Sequence, residues 1–122
     1  MKQAGQVGLC RFPQIDLKPG KLRPVLLLGQ LPSRHSDWLT CMILTQLQQY
    51  IPKFDEIIDK DDVDFVDSGL KTMSLIRTGR LAVIGGDAIV GAIGAIAKER
   101  VLRIKQHLAE WLLDRNAGQP TD

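Results

Sequence analysis

Short apolar runs alternate with polar, turn-forming connections along most of the chain. Each run has the length and the β-branched or aromatic content typical of a buried strand. The pattern predicts five or six short strands, from the runs Val7–Phe12, Leu22–Leu28, Trp38–Leu44, Ser74–Arg77, Leu81–Ile84 and Ile89–Ile96. The connection over 13–21 has turn residues at both ends, so it would join the first two strands as a hairpin with a long loop.

One segment near the C-terminus has helical periodicity instead, and we predict an amphipathic helix from about Lys98 to Asp114 that packs on the sheet. Its apolar stripe comprises Val101, Ile104, Leu108, Trp111 and Leu112. Arg100 and Arg103 are placed on other faces of this helix. Ala97 stands where a Ser, Thr or Asp cap is expected, so the helix start has no local cap.

The chain has 122 residues and 44% apolar content, as expected for one globular domain over 1–122 with a flexible tail at 116–122. No stretch approaches the ~20 apolar residues of a membrane span, and the polar N-terminus has no secretory signal. We therefore expect a cytoplasmic protein without a membrane partner. Cys10 and Cys41 form no CxxC pattern and are interpreted as two reduced thiols.

Charge is unevenly distributed along the sequence. Residues 55–67 contain seven acids and one lysine, a formal charge of −6, which leaves +8 on the rest of the chain. A largely cationic surface would suit a polyanionic ligand. The alternative is a solvated acidic loop on a mildly basic protein.

Known catalytic motifs are missing from the sequence. The glycines over 85–94 lack the Lys-Ser/Thr of a phosphate-binding P-loop and the order of a dinucleotide fingerprint. His35 and His107 do not form an acid–base pair, and His107 is expected to be structural. There is no serine elbow, zinc-ligand set or calcium loop, which excludes most hydrolase classes and leaves no predicted metal or cofactor.

The step Arg23-Pro24 joins a cation to the head of an apolar run. Proline biases the preceding residue toward extended geometry, so Arg23 would enter the strand already in β conformation. A guanidinium held at a strand mouth suits phosphate, although Arg-Pro pairs also occur at strand starts by chance.

Several short segments, in order, resemble the MazF/PemK family of toxin endoribonucleases, and the resemblance extends from Gly5 to about Leu113. The segments are Gly5-Gln6-Val7, Phe12-Pro13 with the loop through Asp16, Lys21–Leu28, Leu44-Thr45-Gln46, Asp67–Lys71, Ser74–Arg77, and Ile93-Gly94 before the helix. The resemblance implies a mainly β fold, an SH3-like β barrel with a C-terminal helix, and a homodimer. It also implies the toxin of a type II toxin-antitoxin system that cleaves single-stranded RNA without a metal, leaving 2′,3′-cyclic phosphate and 5′-hydroxyl ends.

The resemblance further implies site residues and partners. Arg23 and Thr45 match the catalytic arginine and threonine of the family. The RNA path would include Asp16, Lys21, Pro24, Gln46, Arg77 and Arg80. An acidic antitoxin would cover the groove, and DNA would be contacted only through that antitoxin. Where several members have an aspartate, this chain has Gly79, so the general base is unassigned and Asp16 is one candidate.

Two other functions remain open at this point. One is a gyrase-poisoning toxin with the same barrel, which in that family uses a C-terminal tryptophan that this chain lacks. The other is a catalytically inactive SH3-like binding module, for which Gly79 is the main argument. The ribonuclease interpretation requires that Arg23 and Thr45 face one shared cationic hollow.

Overall fold

The computed structural model describes residues 2–11 and 21–114 and has six antiparallel strands and two α-helices in that part of the chain. In chain order they are β1 (Gln6–Arg11), β2 (Leu22–Gln30), β3 (Asp37–Leu44), β4 (Glu56–Ile58), α1 (Phe65–Ser68), β5 (Ser74–Gly85), β6 (Ile89–Ala95) and α2 (Lys98–Leu113), with short 3₁₀ turns at Leu47–Gln49 and Gly86–Ala88. The strands form one sheet in the order β4-β5-β3-β2-β1-β6. The prediction of a mainly β fold with a C-terminal helix is confirmed.

The two predicted strands Ser74–Arg77 and Leu81–Ile84 are one strand, β5, and their separation was wrong. Both halves pair with β3, but Met42 lies opposite Arg77 while Cys41 lies opposite Leu81, so three residues of β5 bulge between them. A bulge of this kind bends a strand without ending it. The polar residues over 78–80 suggested a break, whereas they form the bend.

Both faces of the sheet carry a hydrophobic core, which follows from the continuous apolar run of β2. Leu26 and Leu28 enter the core beneath α2, together with Ile104 and Leu108. Val25 and Leu27 point to the opposite face and pack with a second group that contains Cys10, Trp38 and Ile89. A strand buried on both sides is expected to read as an unbroken apolar run.

The C-terminal helix α2 has the predicted boundaries within one residue, but its buried face differs from the predicted one. Ile104 and Leu108 are buried, whereas Trp111 and Leu112 are 48% and 65% exposed. Arg100, expected on another face, is buried instead. The prediction ranked side chains by hydropathy and therefore missed a buried cation with partners on the sheet.

Arg100 is buried because the acidic connection folds around it. Its guanidinium donates hydrogen bonds to Asp64, Glu56 and Asp62 at 2.8–3.1 Å and to the Ile57 carbonyl at 3.0 Å. Burial opposes ionisation of Asp64, but the bonds from Arg100 and from the backbone outweigh it and lower the pKa of Asp64. Asp64 also accepts from the Ala97 N–H at 3.0 Å, at the residue directly before the first turn of α2.

The predicted division between an acidic loop and a cationic remainder therefore needs correction. Arg103 donates two further hydrogen bonds to Glu56, at 2.8 and 3.0 Å, and Asp55 lies 3.5 Å from Arg77. Asp55, Glu56 and Asp64 are buried, so much of the segment is not solvated. Three of the cations counted in the +8 remainder are thus paired to these acids.

Helix α1 packs directly against β6, at the opposite end of the sheet from β4. A Cβ atom on Gly94 would overlap the Asp67 carbonyl oxygen, and one on Gly69 would overlap the Ile93 carbonyl oxygen. Gly69 also has φ +75°, which favours glycine. The two glycines therefore let the segment after β4 approach the last strand at backbone contact distance.

Both cysteines are free and buried, as the absence of a CxxC pattern predicted. Burial raises the pKa of the Cys41 thiol to about 12, with the Asp55 carboxylate adding to the shift, and burial also raises the pKa of Cys10. In the described ranges, neither helix has the length and apolar character needed to traverse a lipid bilayer. The predicted tail over 116–122 lies outside the described residues.

Candidate functional site

The antiparallel sheet brings three strand ends to one edge. Val25 pairs with Met42, so the start of β2 lies beside the end of β3. Leu44 pairs with Leu75, which sets the start of β5 on the other side of β3. A hollow of about 740 Å³ opens at this edge.

Arg23 and Thr45 both line this hollow. Arg23 is the second residue of β2, and Thr45 follows the last residue of β3. Their positions follow from the register, because continuing the β2–β3 pairing from Val25 and Met42 by two residues sets Arg23 opposite Leu44. The shared hollow that the sequence interpretation required is therefore present.

Four cations line the hollow: Lys21, Arg23, Lys71 and Arg80. All four are exposed, and within ranges 2–11 and 21–114 none of them makes an ion pair or a side-chain hydrogen bond. No described residue of the lining is an aspartate or glutamate. Unpaired cations without a competing carboxylate give the hollow a positive potential suited to an anion.

The 3₁₀ turn Leu47–Gln49 forms one wall of the hollow. Gln46 and Gln49 both line it, and the Gln49 Nε2 donates to the Gln46 Oε1 at 3.0 Å. Gln46 directly precedes this turn, and its carbonyl accepts the Gln49 N–H at 3.4 Å, which brings the two residues close together. The wall therefore presents amide groups next to the Thr45 hydroxyl.

Arg77 lies behind this wall and is not among the lining residues. Its Nη1 donates to the Gln49 Oε1, and its Nε is 3.5 Å from the buried Asp55 carboxylate. Asp55 is fixed in turn, because it accepts the Ile51 and Thr78 N–H groups at 3.0 Å. Arg77 thus contacts the site through Gln49.

The structure brings together six of the eight residues predicted from the sequence. The six are Lys21, Arg23, Pro24, Thr45, Gln46 and Arg80. Arg77 is not in the lining but contacts the lining residue Gln49. Asp16 lies outside the described residues. The sequence interpretation missed Lys71 and Gln49; a cation directly after Gly69-Leu70 and a glutamine three residues after Gln46 were the available signals.

Gly79, at the position for which the resemblance implied an aspartate, lies beside an aromatic ring. A Cβ atom at this position would lie 3.1 Å from Cε2 of Phe54, and neither residue lines the hollow. A side chain at position 79 would therefore start toward Phe54.

The arrangement can stabilise a phosphoryl group. A guanidinium can donate two parallel hydrogen bonds to phosphate oxygens, and the Thr45 hydroxyl can donate a third. The described residues contain no cluster of metal-ligating side chains. The cations, together with hydroxyl groups such as that of Thr45 and the amides of Gln46 and Gln49, are available for charge stabilisation in the described lining.

The chain is similar to known proteins in sequence and in fold. A family model described as "PemK-like, MazF-like toxin of type II toxin-antitoxin system" matches residues 3–112. A solved structure described as an endoribonuclease in complex with its cognate antitoxin, from a mycobacterial species, aligns with a TM-score of 0.66; the chains are 18% identical, and each is covered over 100% of its length. No curated protein sequence matches the chain.

Proposed function

The chain belongs to the family of PemK-like, MazF-like toxins of type II toxin-antitoxin systems, and on this premise we propose that it is a metal-independent endoribonuclease that cleaves single-stranded RNA in the hollow. The observation that carries the proposal is that Arg23 and Thr45 line one hollow whose four cations have no ion-pair partner within the described residues. The structural relative described as an endoribonuclease has the same fold. Cleavage of mRNA would stop translation and growth.

The reaction is an internal transfer at phosphorus. The ribose 2′-oxygen attacks the adjacent phosphorus, the bond from phosphorus to the 5′-oxygen breaks, and the products are a 2′,3′-cyclic phosphate and a 5′-hydroxyl. The proton of the 2′-hydroxyl passes to a base. The leaving 5′-oxygen takes up a proton and becomes the 5′-hydroxyl. Negative charge grows on the non-bridging phosphoryl oxygens in the transition state.

Arg23 stabilises that charge in this mechanism, because a guanidinium is permanently protonated and needs no reorganisation to meet it. Thr45 holds a phosphoryl oxygen in line. Lys21, Lys71 and Arg80 bind the flanking phosphates without selecting a sequence. The described lining has no carboxylate or histidine to accept the 2′-proton, and Asp16 remains the candidate base from the sequence.

Two partners belong to the proposal besides RNA. A second copy of the chain would cover the exposed apolar side chains of Leu81, Val83 and Val90, which flank the Gly86–Ala88 turn. An antitoxin with an extended acidic segment would occupy the cationic hollow in place of RNA. DNA would be contacted only through that antitoxin.

The test is RNA cleavage in EDTA by purified protein. Wild-type protein should produce fragments that end in 2′,3′-cyclic phosphate, and Arg23→Ala or Thr45→Val should lower the rate by about 10²–10³-fold. Arg34→Ala is the matched control, because Arg34 is an exposed arginine outside the hollow. Intact RNA with wild-type protein would overturn the proposal, and blocked DNA supercoiling in the same sample would favour a gyrase poison.

Growth arrest provides the second readout. Expression of the wild-type chain should stop growth, and Arg23→Ala should abolish the arrest at equal protein level. If growth arrest persists in the Arg23→Ala variant, toxicity does not depend on the hollow.

A further inference from the structure

We propose that Gln46 selects one base of the RNA substrate by presenting a fixed hydrogen-bond donor, and that Gln49, Arg77 and Asp55 hold the donor in that orientation. The inference rests on the proposed ribonuclease function and concerns the choice of sequence. Its physical basis is one ion pair followed by two hydrogen bonds, which connect the buried Asp55 carboxylate to the wall of the hollow.

The series of contacts begins at the Asp55 carboxylate, which is held in place by hydrogen bonds. The Asp55 side chain is fully buried. It accepts the Ile51 N–H on one oxygen and the Thr78 N–H on the other, both at 3.0 Å. The Arg77 Nε lies 3.5 Å from the same carboxylate, so the guanidinium is held by a charge that is itself fixed.

The guanidinium then determines the orientation of two amides. Arginine has donors and no acceptor, so the atom of Gln49 that faces Arg77 must be the carbonyl Oε1. The Gln49 amide nitrogen therefore faces Gln46, and only the Gln46 Oε1 can accept from it. The Gln46 NH₂ makes no hydrogen bond within the described residues, and Gln46 belongs to the lining of the hollow, so this donor is available to a ligand there.

An amide held this way distinguishes bases by their exocyclic groups. Uracil at position 4 and guanine at position 6 carry a carbonyl oxygen, which accepts from an NH₂ group, whereas cytosine and adenine carry an amino group at these positions, which donates. Unpaired RNA bases expose these edges to protein side chains. We therefore expect a preference for uracil or guanine at one position beside the cleaved bond, of about three- to tenfold, the worth of one hydrogen bond.

This assignment gives Arg77 a different role from the one expected from the sequence. It is half-buried, already bound to Asp55 and Gln49, and absent from the lining of the hollow. Arg77 acts here as a positioning residue, through Gln49, and needs no contact with RNA.

The test is sequencing of the 5′-hydroxyl ends released from a random RNA pool. Gln46→Glu replaces the donor with an acceptor and should reverse the preference at one position, toward cytosine or adenine. Gln49→Glu keeps a partner for Arg77 but loses the donor to Gln46, so it should relax the preference at that same position. Gln48→Glu adds the same charge on the same turn, outside the lining, and should leave the preference unchanged.

The outcomes separate the two proposals. If wild-type protein cuts RNA and the Gln46→Glu and Gln48→Glu variants give the same base profile, the selection by Gln46 is wrong and the ribonuclease proposal stands. A uniform loss of rate in Gln46→Glu, with no change at any base position, also overturns the selection. Failure of the wild-type protein to cut any RNA overturns the ribonuclease function, and this inference with it.

Discussion

Replacement of Arg100 by methionine tests how much stability the buried ion cluster contributes. Arg100 donates five hydrogen bonds, four of them to the carboxylates of Asp64, Glu56 and Asp62. Methionine fills a similar volume but leaves the two buried acids, Asp64 and Glu56, without this cation. Removing one partner from a buried pair costs about 3–5 kcal/mol, and we expect the free energy of unfolding to fall by that amount.

Arg103→Met is the matched control. Arg103 binds the same Glu56, but its side chain is 47% exposed and Glu56 keeps Arg100 as a partner. Solvent screening limits such a pair to about 1 kcal/mol or less. Urea unfolding followed by tryptophan fluorescence, in an Arg23→Ala background that avoids toxicity, measures both variants against the same parent.

The pH dependence provides an independent check. The pKa of Asp64 is lowered in the folded chain, so its stabilisation is present above the unfolded pKa, about 3.9, and is lost as the pH falls through the lower folded value. In Arg100→Met, burial raises the pKa of Asp64 instead, so acid relieves the buried charge. The stability difference between wild-type and variant should shrink on acidification. Equal losses for Arg100→Met and Arg103→Met, or a difference that is constant with pH, would refute the reasoning.

Three further predictions follow from the described contacts. Gly94→Ala should destabilise the chain by more than about 2 kcal/mol, whereas Gly91→Ala, whose Cβ would meet open space, should change it by less than about 1 kcal/mol in the same urea assay. Cys41 should stay unreactive toward a thiol reagent at about pH 8 until the chain unfolds, because its pKa is raised; rapid labelling of native protein would contradict this. Lys71→Ala should reduce the slope of log affinity for RNA against log salt by about 0.7, and an unchanged slope would remove Lys71 from the RNA path.

The strands were predictable from sequence where local chemistry decides them. Strand β2 was predicted from its continuous apolar run, and β3 from its β-branched and aromatic content, because both properties accompany burial in a sheet. Strand β4 and helix α1 were missed because they are only three and four residues long and lie within an acidic segment. Glu56 of β4 and Asp64, which precedes α1, are paired with Arg100, more than thirty residues away, and no local pattern contains that information.

The candidate site was also predictable in part from the sequence. Arg23 and Thr45 could be matched to a family pattern, and the antiparallel register then brings them to one edge of the sheet. The role of Arg77 could not be read in the same way, because an arginine in the sequence carries no sign of whether it faces solvent or a buried carboxylate. Lys71 was missed because its loop becomes part of the hollow only when β5 pairs with β3.

The position of Arg100 in the chain has a consequence for inactive alleles of the gene. The carboxylates that it neutralises are translated first, and the cation arrives only with the final helix. A frameshift or stop codon between positions 94 and 99 leaves the whole described lining of the hollow encoded but leaves the buried acids without their counter-charge. Such alleles should be harmless to the cell through proteolysis of an unstable product, although every residue that lines the described hollow is still present.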